Sequence, residues 1–242
     1  MKKLIIGSIL FFAFNTSAQV WFDLGLKGGV GSSFLLNSNL NNDGRLGPTA
    51  GFNYFYGGKV GINFGEFVGI TCDVDYGTYK MGFTQAEVPG KSDTEVFTYK
   101  IGYNSLNVSP YFRYTKESSY LELGPNFSFS KNPFIDDEAN PSSTFDARDA
   151  IRRNLTGITF GFGGHMVGNE TISLMMGLRF NYTFSNLTSD MYAETSFPLQ
   201  NYNDFEPSKS TPLAVQFVME VNYSLGYFVR ASCGRRTAFL TF

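Results

Sequence analysis

Several ionisable side chains of this chain stand at alternate positions, a spacing that can support chemistry. Asp73 and Asp75 lie two residues apart, and His165 is the one histidine. Paired carboxylates can perform general acid–base catalysis, and a histidine beside a serine or an acid can activate a nucleophile. The same residue types can also neutralise basic side chains in buried ion pairs. The elements that position them decide between these roles.

Residues 171–185 alternate between large apolar side chains and small or polar ones, with Met175 as the exception. A period of two predicts a β-strand with one apolar and one polar face. About 9–11 residues of tilted strand cross a bilayer, so this segment is long enough to span one. Together with two positions of the last segment, it supplies the predicted lipid-facing residues: Ile172, Leu174, Met176, Leu178, Phe180, Phe217 and Val221.

Eight segments alternate in this way: 21–34, 49–64, 67–83, 99–114, 120–130, 155–167, 171–185 and 213–229. Short connections (65–66, 115–119 and 168–170) take turns with long ones (36–48, 84–95, 131–154 and 188–212). This order predicts an all-β fold, an eight-stranded antiparallel up-and-down transmembrane β-barrel with short periplasmic turns and longer external loops.

In the fourth segment, residues 99–114, the large apolar side chains do not all fall on even-numbered positions. Leu106, Val108 and Phe112 are even-numbered, whereas the large side chains upstream, such as Ile101 and Tyr103, are odd-numbered. We expect a bulge near residue 104 or 105 to absorb the extra residue.

The polar faces carry a nearly balanced set of charges, and these form the predicted lumen charge network: Asp23, Lys27, Lys59, Asp73, Asp75, Arg113, Glu122, Arg179 and Glu220. A soluble lipocalin-type barrel would expose such a face to water. Interleaved glycines favour a narrow lumen, and aromatic side chains near the ends of the apolar face favour membrane interfaces. Eight strands enclose just enough space for side chains, so we expect a plugged barrel in outer-membrane lipid.

The chain ends and composition set further bounds. Residues 1–18 resemble a signal peptide cleaved after Ala18, which leaves a barrel domain over 19–229 and a tail of uncertain placement over 230–242. With 19 basic and 21 acidic side chains the sequence is slightly acidic, which argues against a nucleic-acid partner. Two cysteines, Cys72 and Cys233, do not make a disulfide scaffold.

No residue set here predicts catalysis, a cofactor or a metal. His165 falls on the inward parity beside a periplasmic turn, the wrong end for surface chemistry, and a hydrogen-bonding role is favoured. Asp73 and Asp75 are expected to meet arginine or lysine. The acidic run 136–138 lacks the spaced ligands and glycine of a calcium loop, which favours a solvated loop.

Residues 24–29, 105–114, 120–125, 176–182 and 223–227 carry barrel motifs, among them SLNVSPYFRY and YLELGP. Through them the chain resembles the PorT-like outer-membrane β-barrel family, small barrels of the OmpA/OmpX type. The resemblance implies no catalytic residue. It links the family's namesake to a protein secretion system, while the tail after residue 229 departs from the family pattern.

These observations predict a non-enzymatic outer-membrane protein that is structural or binds a protein partner through loops 131–154 and 188–212, which hold aromatic side chains among acids and amides. An accessory subunit of an outer-membrane secretion or surface-assembly machine is the alternative. A surface enzyme that modifies lipids or peptides is the third hypothesis, and it would depend on His165.

Overall fold

The computed structural model describes residues 20–42, 44, 46–65, 67–86, 96–137, 145–169, 171–192 and 208–227. The predicted signal peptide, the predicted tail with Cys233, and parts of the long loops lie outside the described residues.

The described residues form ten β-strands and one short α-helix. The strands are β1 (Val20–Leu36), β2 (Leu46–Thr49), β3 (Gly51–Phe64), β4 (Val68–Ala86), β5 (Val96–Lys116), β6 (Ser119–Asp137), β7 (Phe145–Asp146), β8 (Asn154–Gly168), β9 (Ile172–Thr183) and β10 (Thr211–Tyr227). Helix α1 (Ser38–Asn42) and a 3₁₀ turn (Asp190–Tyr192) lie in long connections. No helix within the described part of the chain has the length and hydropathy needed to span a membrane.

Eight of these strands close into a ring. Each of β1, β3, β4, β5, β6, β8, β9 and β10 pairs antiparallel with its neighbours in this order, and β10 pairs with β1 to complete the circuit. The eight-stranded antiparallel up-and-down barrel predicted from the sequence is therefore confirmed. Strands β2 and β7 lie outside the ring, paired with extensions of β4 and β6.

The two ends of the barrel differ. At the end that we call the turn end, β3–β4, β5–β6 and β8–β9 are joined by two or three residues. Gly65 and Glu117 adopt positive φ values of 65° and 55° in two of these turns, which lets the chain reverse tightly. The opposite end, the loop end, carries the four long connections. Long and short connections alternate as predicted.

The outer and inner faces of the barrel exchange their chemistry part-way along β4, β5 and β6. On β5, the outward side chains from Leu106 to Tyr114 are apolar or aromatic, and the inward ones from Ser105 to Arg113 are mainly polar and buried. Towards the loop end, the outward position is Asn104, whereas the inward Tyr103 and Ile101 are buried and apolar. Side chains of the strand continue to alternate between inward and outward, while the inner face changes from polar to apolar and the outer face from apolar to polar.

The prediction of a bulge in β5 is wrong, because the change of parity in this strand reflects the inversion of the two faces. The register of β5 with β4 runs without a break from Tyr114 to Val96. The irregularity is on the β6 side, where Gly102 pairs with Phe134 and Asn104 pairs with Lys131, so the extra residue belongs to β6. Asn132, with a φ of 45°, occupies this bulge. The odd-numbered apolar residues of β5 point inward because the core at the loop end is apolar.

We call the part of the barrel beyond this boundary the head. Its buried apolar side chains come from the strand extensions, α1, β2 and the loops, and they form one cluster: Leu35, Leu40, Leu46, Tyr79, Met81, Phe83, Ile101, Tyr103, Ile135, Ala147, Ala150, Ile151, Leu155, Leu187 and Ala214. Apolar inside and polar outside is the pattern of a water-soluble β-structure. On β4, β5 and β6 the outer surface of the head is therefore suited to contact with water.

We predict that Ile101→Ala destabilises the protein much more than Val108→Ala in the same strand. Ile101 is fully buried in the head cluster, so its truncation leaves a cavity and costs about 2–4 kcal/mol. Val108 points outward, and its truncation costs about 0.5 kcal/mol. Urea unfolding in detergent micelles measures both values, and equal losses would contradict an apolar head core.

Candidate functional site

The lumen is the part of the barrel where ionisable side chains converge. The nine residues predicted for the lumen charge network come from seven strands, and all of them point inward: Asp23 and Lys27 (β1), Lys59 (β3), Asp73 and Asp75 (β4), Arg113 (β5), Glu122 (β6), Arg179 (β9) and Glu220 (β10). Inward placement follows from the two-residue period of each strand. All but Asp23 are buried, and the side chain of Asp23 retains 13% exposure.

Glu220 is the centre of one half of this network. Its carboxylate accepts two hydrogen bonds from Arg113, at 2.7 and 2.8 Å, and one from Lys59 at 2.7 Å. Lys27 Nζ lies 3.2 Å from its Oε2, and Asn222 Nδ2 donates to its Oε1 at 2.7 Å. Three cations around one carboxylate compensate the cost of removing it from water.

Asp73 and Glu122 hold the other half together. Asp73 Oδ2 accepts from Lys27 at 2.7 Å and from Arg179 at 2.5 Å. Glu122 accepts from Arg113 at 2.8 Å and lies 3.4 Å from Arg179. Lys27 and Arg113 therefore bridge the two halves, which makes the network continuous across the lumen.

Asp75 is bound differently from Asp73. It accepts a hydrogen bond of 2.6 Å from the amide of Asn107 and lies 3.7 Å from Arg179. Both carboxylates thus contact the same guanidinium, as expected for structural ion pairs. The guanidinium of Arg179 also lies 5.1 and 5.2 Å from the ring centroids of Phe55 and Tyr111, which shield it from water.

Glycines opposite the acids provide the room that these side chains need. A Cβ atom on Gly61 would lie 1.9 Å from a carboxylate oxygen of Asp23, and one on Gly161 would lie 2.7 Å from Glu122 Cγ. Each glycine is the registered partner of the acid concerned. The interleaved glycines of the sequence therefore accommodate acidic side chains at these two positions.

Towards the loop end, a layer of uncharged polar groups covers the charges. Asn181 donates to Gln216, Gln216 to Asn53, and Asn53 to Ser33, at 2.7, 2.9 and 2.8 Å. Beyond this layer lies the apolar core of the head. A cavity of about 20 Å³ lies between the two, which is room for about one water molecule. Charges, amides and apolar side chains thus fill successive levels of the barrel.

His165 lies at the turn end, where it is buried and pairs with Met175 across the sheet. Its backbone N–H donates to the carbonyl of Ser118 at 2.7 Å. This position is far from the loops, as the sequence pattern indicates. Within the described ranges, no group of three His, Cys, Asp or Glu residues is arranged to hold a metal. Cys72 points outward from β4 as a free thiol.

An apolar belt surrounds the barrel outside the charge network. We define the belt as the outward apolar side chains between the turn end and the row Tyr76–Leu106–Phe129, three residues that pair in register. On β4, β5 and β6 it spans nine residues each, over 68–76, 106–114 and 121–129. The next outward row is polar: Thr78, Asn104 and Lys131. The seven residues predicted to face lipid all lie on the outer face, partly or fully exposed.

The apolar core of the head and the lysines outside it were not predicted from the sequence. A signal for the core was present, because large apolar residues at 79, 81 and 83 share the parity of Asp73 and Asp75. This exchange of the two faces was missed because the apolar residues of every strand were assigned to the outer face along its whole length. Aromatic pairs reinforce the inner face there, with Tyr79 and Tyr103 stacked at 5.6 Å between ring centroids.

No protein-family model matches this chain, and a search of the curated proteins gives no match. Among solved structures it is similar to neisserial surface protein A (12% identity; 82% of this chain and 96% of that chain; TM-score 0.41). It is also similar to OprG of Pseudomonas aeruginosa (13%; 86% and 96%; 0.44) and to Ail of Yersinia pestis, crystallised with a heparin analogue (13%; 84% and 99%; 0.39). The structures of neisserial surface protein A and OprG are described as a surface protein and an outer-membrane protein.

We predict that Arg113→Met destabilises the barrel by about 3 kcal/mol, because it leaves Glu122 and Glu220 short of a buried cation. Adding Glu220→Gln to this variant restores the original balance of charge in the lumen. The double variant should therefore lose less stability than the sum of the two single variants. A double-mutant cycle from urea unfolding in micelles measures the coupling, and strict additivity would show that the pair does not interact.

Proposed function

We propose that this chain is an integral outer-membrane β-barrel protein without enzymatic activity. The observation that carries the proposal is the apolar belt around a closed ring whose charges are buried inside. Nine residues at about 3.3 Å each, tilted by about 40°, give a belt about 23 Å tall, close to the apolar band of outer-membrane barrels. Closure matters because hydrocarbon offers no hydrogen-bond partner to a free sheet edge.

The alternation of turns and loops supports one orientation. The turn end faces the periplasm, and the head with its long connections faces the exterior. In this proposal residues 1–18 are the signal peptide, the mature chain begins at Gln19, and the barrel domain extends to residue 229. N-terminal sequencing of the membrane-extracted protein tests the cleavage site.

Cysteine labelling tests the membrane position of the belt. In a background without the natural cysteines (Cys72→Ser and Cys233→Ser), we expect Asn104→Cys to react with a membrane-impermeant maleimide in whole cells. Val108→Cys, four residues away on the same outer face, should stay unlabelled until the membrane is dissolved. Equal labelling of both positions in intact membranes would refute the proposal.

The filled lumen supports a role other than diffusion. The charge network, the amide layer and the head core occupy successive levels of the interior, so a hydrated solute would have to displace all three. We expect planar bilayers containing the protein to show no conductance approaching that of a porin. Steady porin-like channels from the wild-type protein would contradict the plugged barrel.

The proposed role is structural or partner-binding, with segments 131–154 and 188–212 as the contact surface for a protein partner. Both were predicted as loops, but residues 131–137 extend β6 and residues 211–212 begin β10. The resemblance of residues 105–114 and 120–125 to the PorT-like family supports the narrower alternative, an accessory subunit of a secretion or surface-assembly machine. Pull-down from detergent-solubilised membranes separates the two. A machine subunit recovers stoichiometric partners, whereas a stand-alone barrel does not.

A further inference from the structure

Lysines stand just outside the apolar belt on one wall of the barrel. Lys131 on β6 occupies the first polar row beyond the belt, beside Asn104 and Thr78. Lys80 on β4 occupies the second row, and both lysines are exposed on the outer face. Lys100 on β5 follows in the third row, where its registered neighbour on β6 is Asp136. We call Lys80 and Lys131 the lysine patch.

The positions of Lys80 and Lys131 allow both ammonium groups to reach one ligand. The two residues are separated by two strand spacings and one row, which places their Cα atoms about 12 Å apart. A lysine side chain carries its ammonium group on a flexible four-carbon stem, so the two ammonium groups can converge above Asn104 and Gly102, between them. Convergence of two cations at this height makes a site for an anion.

An aromatic ring shapes the surface between these lysines. Gly102 stands between Lys80 and Phe134 in register, and a Cβ atom on it would lie 2.3 Å from Phe134 Cζ, so the ring lies across the glycine. Lys80 Nζ lies 5.9 Å from the centroid of this ring. The ring therefore positions the Lys80 ammonium and adds an apolar surface directly beyond the belt.

We infer that the lysine patch binds the phosphate groups of lipids in the outer leaflet. The inference rests on the proposed membrane placement. With the belt in hydrocarbon, Lys131 lies one row and Lys80 two rows above its edge, the level at which lipid phosphates lie. A lipid also fits the apolar surface below the patch, which a soluble anion would leave unused. Clustered lysines at a membrane surface attract anionic lipid at about a fivefold gain in affinity per lysine.

The test uses the full mature chain in micelles of a neutral detergent, titrated with diphosphoryl lipid A and followed by native mass spectrometry. We expect Lys80→Gln and Lys131→Gln each to weaken lipid A binding about fivefold, and the double variant to weaken it about 30-fold. Lys116→Gln, an exposed lysine at the turn end, removes the same charge and should change binding less than twofold. Inorganic phosphate at equal concentration should not compete.

Unchanged lipid A binding in the double variant, or an equal loss in Lys116→Gln, would overturn the inference. Effective competition by inorganic phosphate would overturn it too, because the site would then be one for a soluble anion. The labelling contrast between positions 104 and 108 keeps the two proposals distinguishable. If positions 104 and 108 are labelled equally in intact membranes, the proposed membrane placement is refuted. If it holds while the lysine variants bind lipid A normally, only the lysine patch is refuted.

Discussion

A closed ring of backbone hydrogen bonds is the constraint on which the rest of this protein depends. Eight strands pair in sequence and β10 returns to β1, so the ring has no unpaired strand edge. In the proposed setting this closure is obligatory, because hydrocarbon cannot satisfy a free peptide group. Closure also fixes the size of the lumen, since eight strands leave only enough space for side chains.

The small lumen makes charge compensation unavoidable. Carboxylates such as Glu220 and Asp73 are almost fully removed from water, and each is stabilised by two or more cations within 3.2 Å. Lys27 contacts three carboxylates, and Arg179 contacts three as well. Because the cations are shared, removing one member disturbs several ion pairs at once. Asp73 and Asp75 are both held in buried ion pairs, which stabilise the charged carboxylates and disfavour acid–base chemistry at these residues.

The exchange of chemistry between the two faces divides the barrel into two environments without a break in the strands. Within the belt, β5 turns Val108 outward and Asn107 inward; in the head it turns Asn104 outward and Ile101 inward. The boundary is level across β4, β5 and β6 because the strands pair in register. On these three strands the head therefore turns polar side chains outward, and Lys131 and Lys80 stand in the first and second rows beyond the belt.

The alternation of apolar and polar residues by itself determined the number of barrel strands, their order and the sequence of short and long connections; β2 and β7, which lie outside the ring, were not predicted. It also placed the ionisable residues on one face of each strand, since a two-residue period leaves only two faces. Which charges meet was decided by tertiary structure alone: Arg113 and Glu220 are far apart along the chain, and only ring closure and strand stagger bring them to 2.7 Å. The same holds for the inverted head, because periodicity separates two faces but does not say what each face meets. Ile101 and Val108 both belong to alternating series of apolar side chains, and only the folded barrel shows that one faces a core and the other the outside.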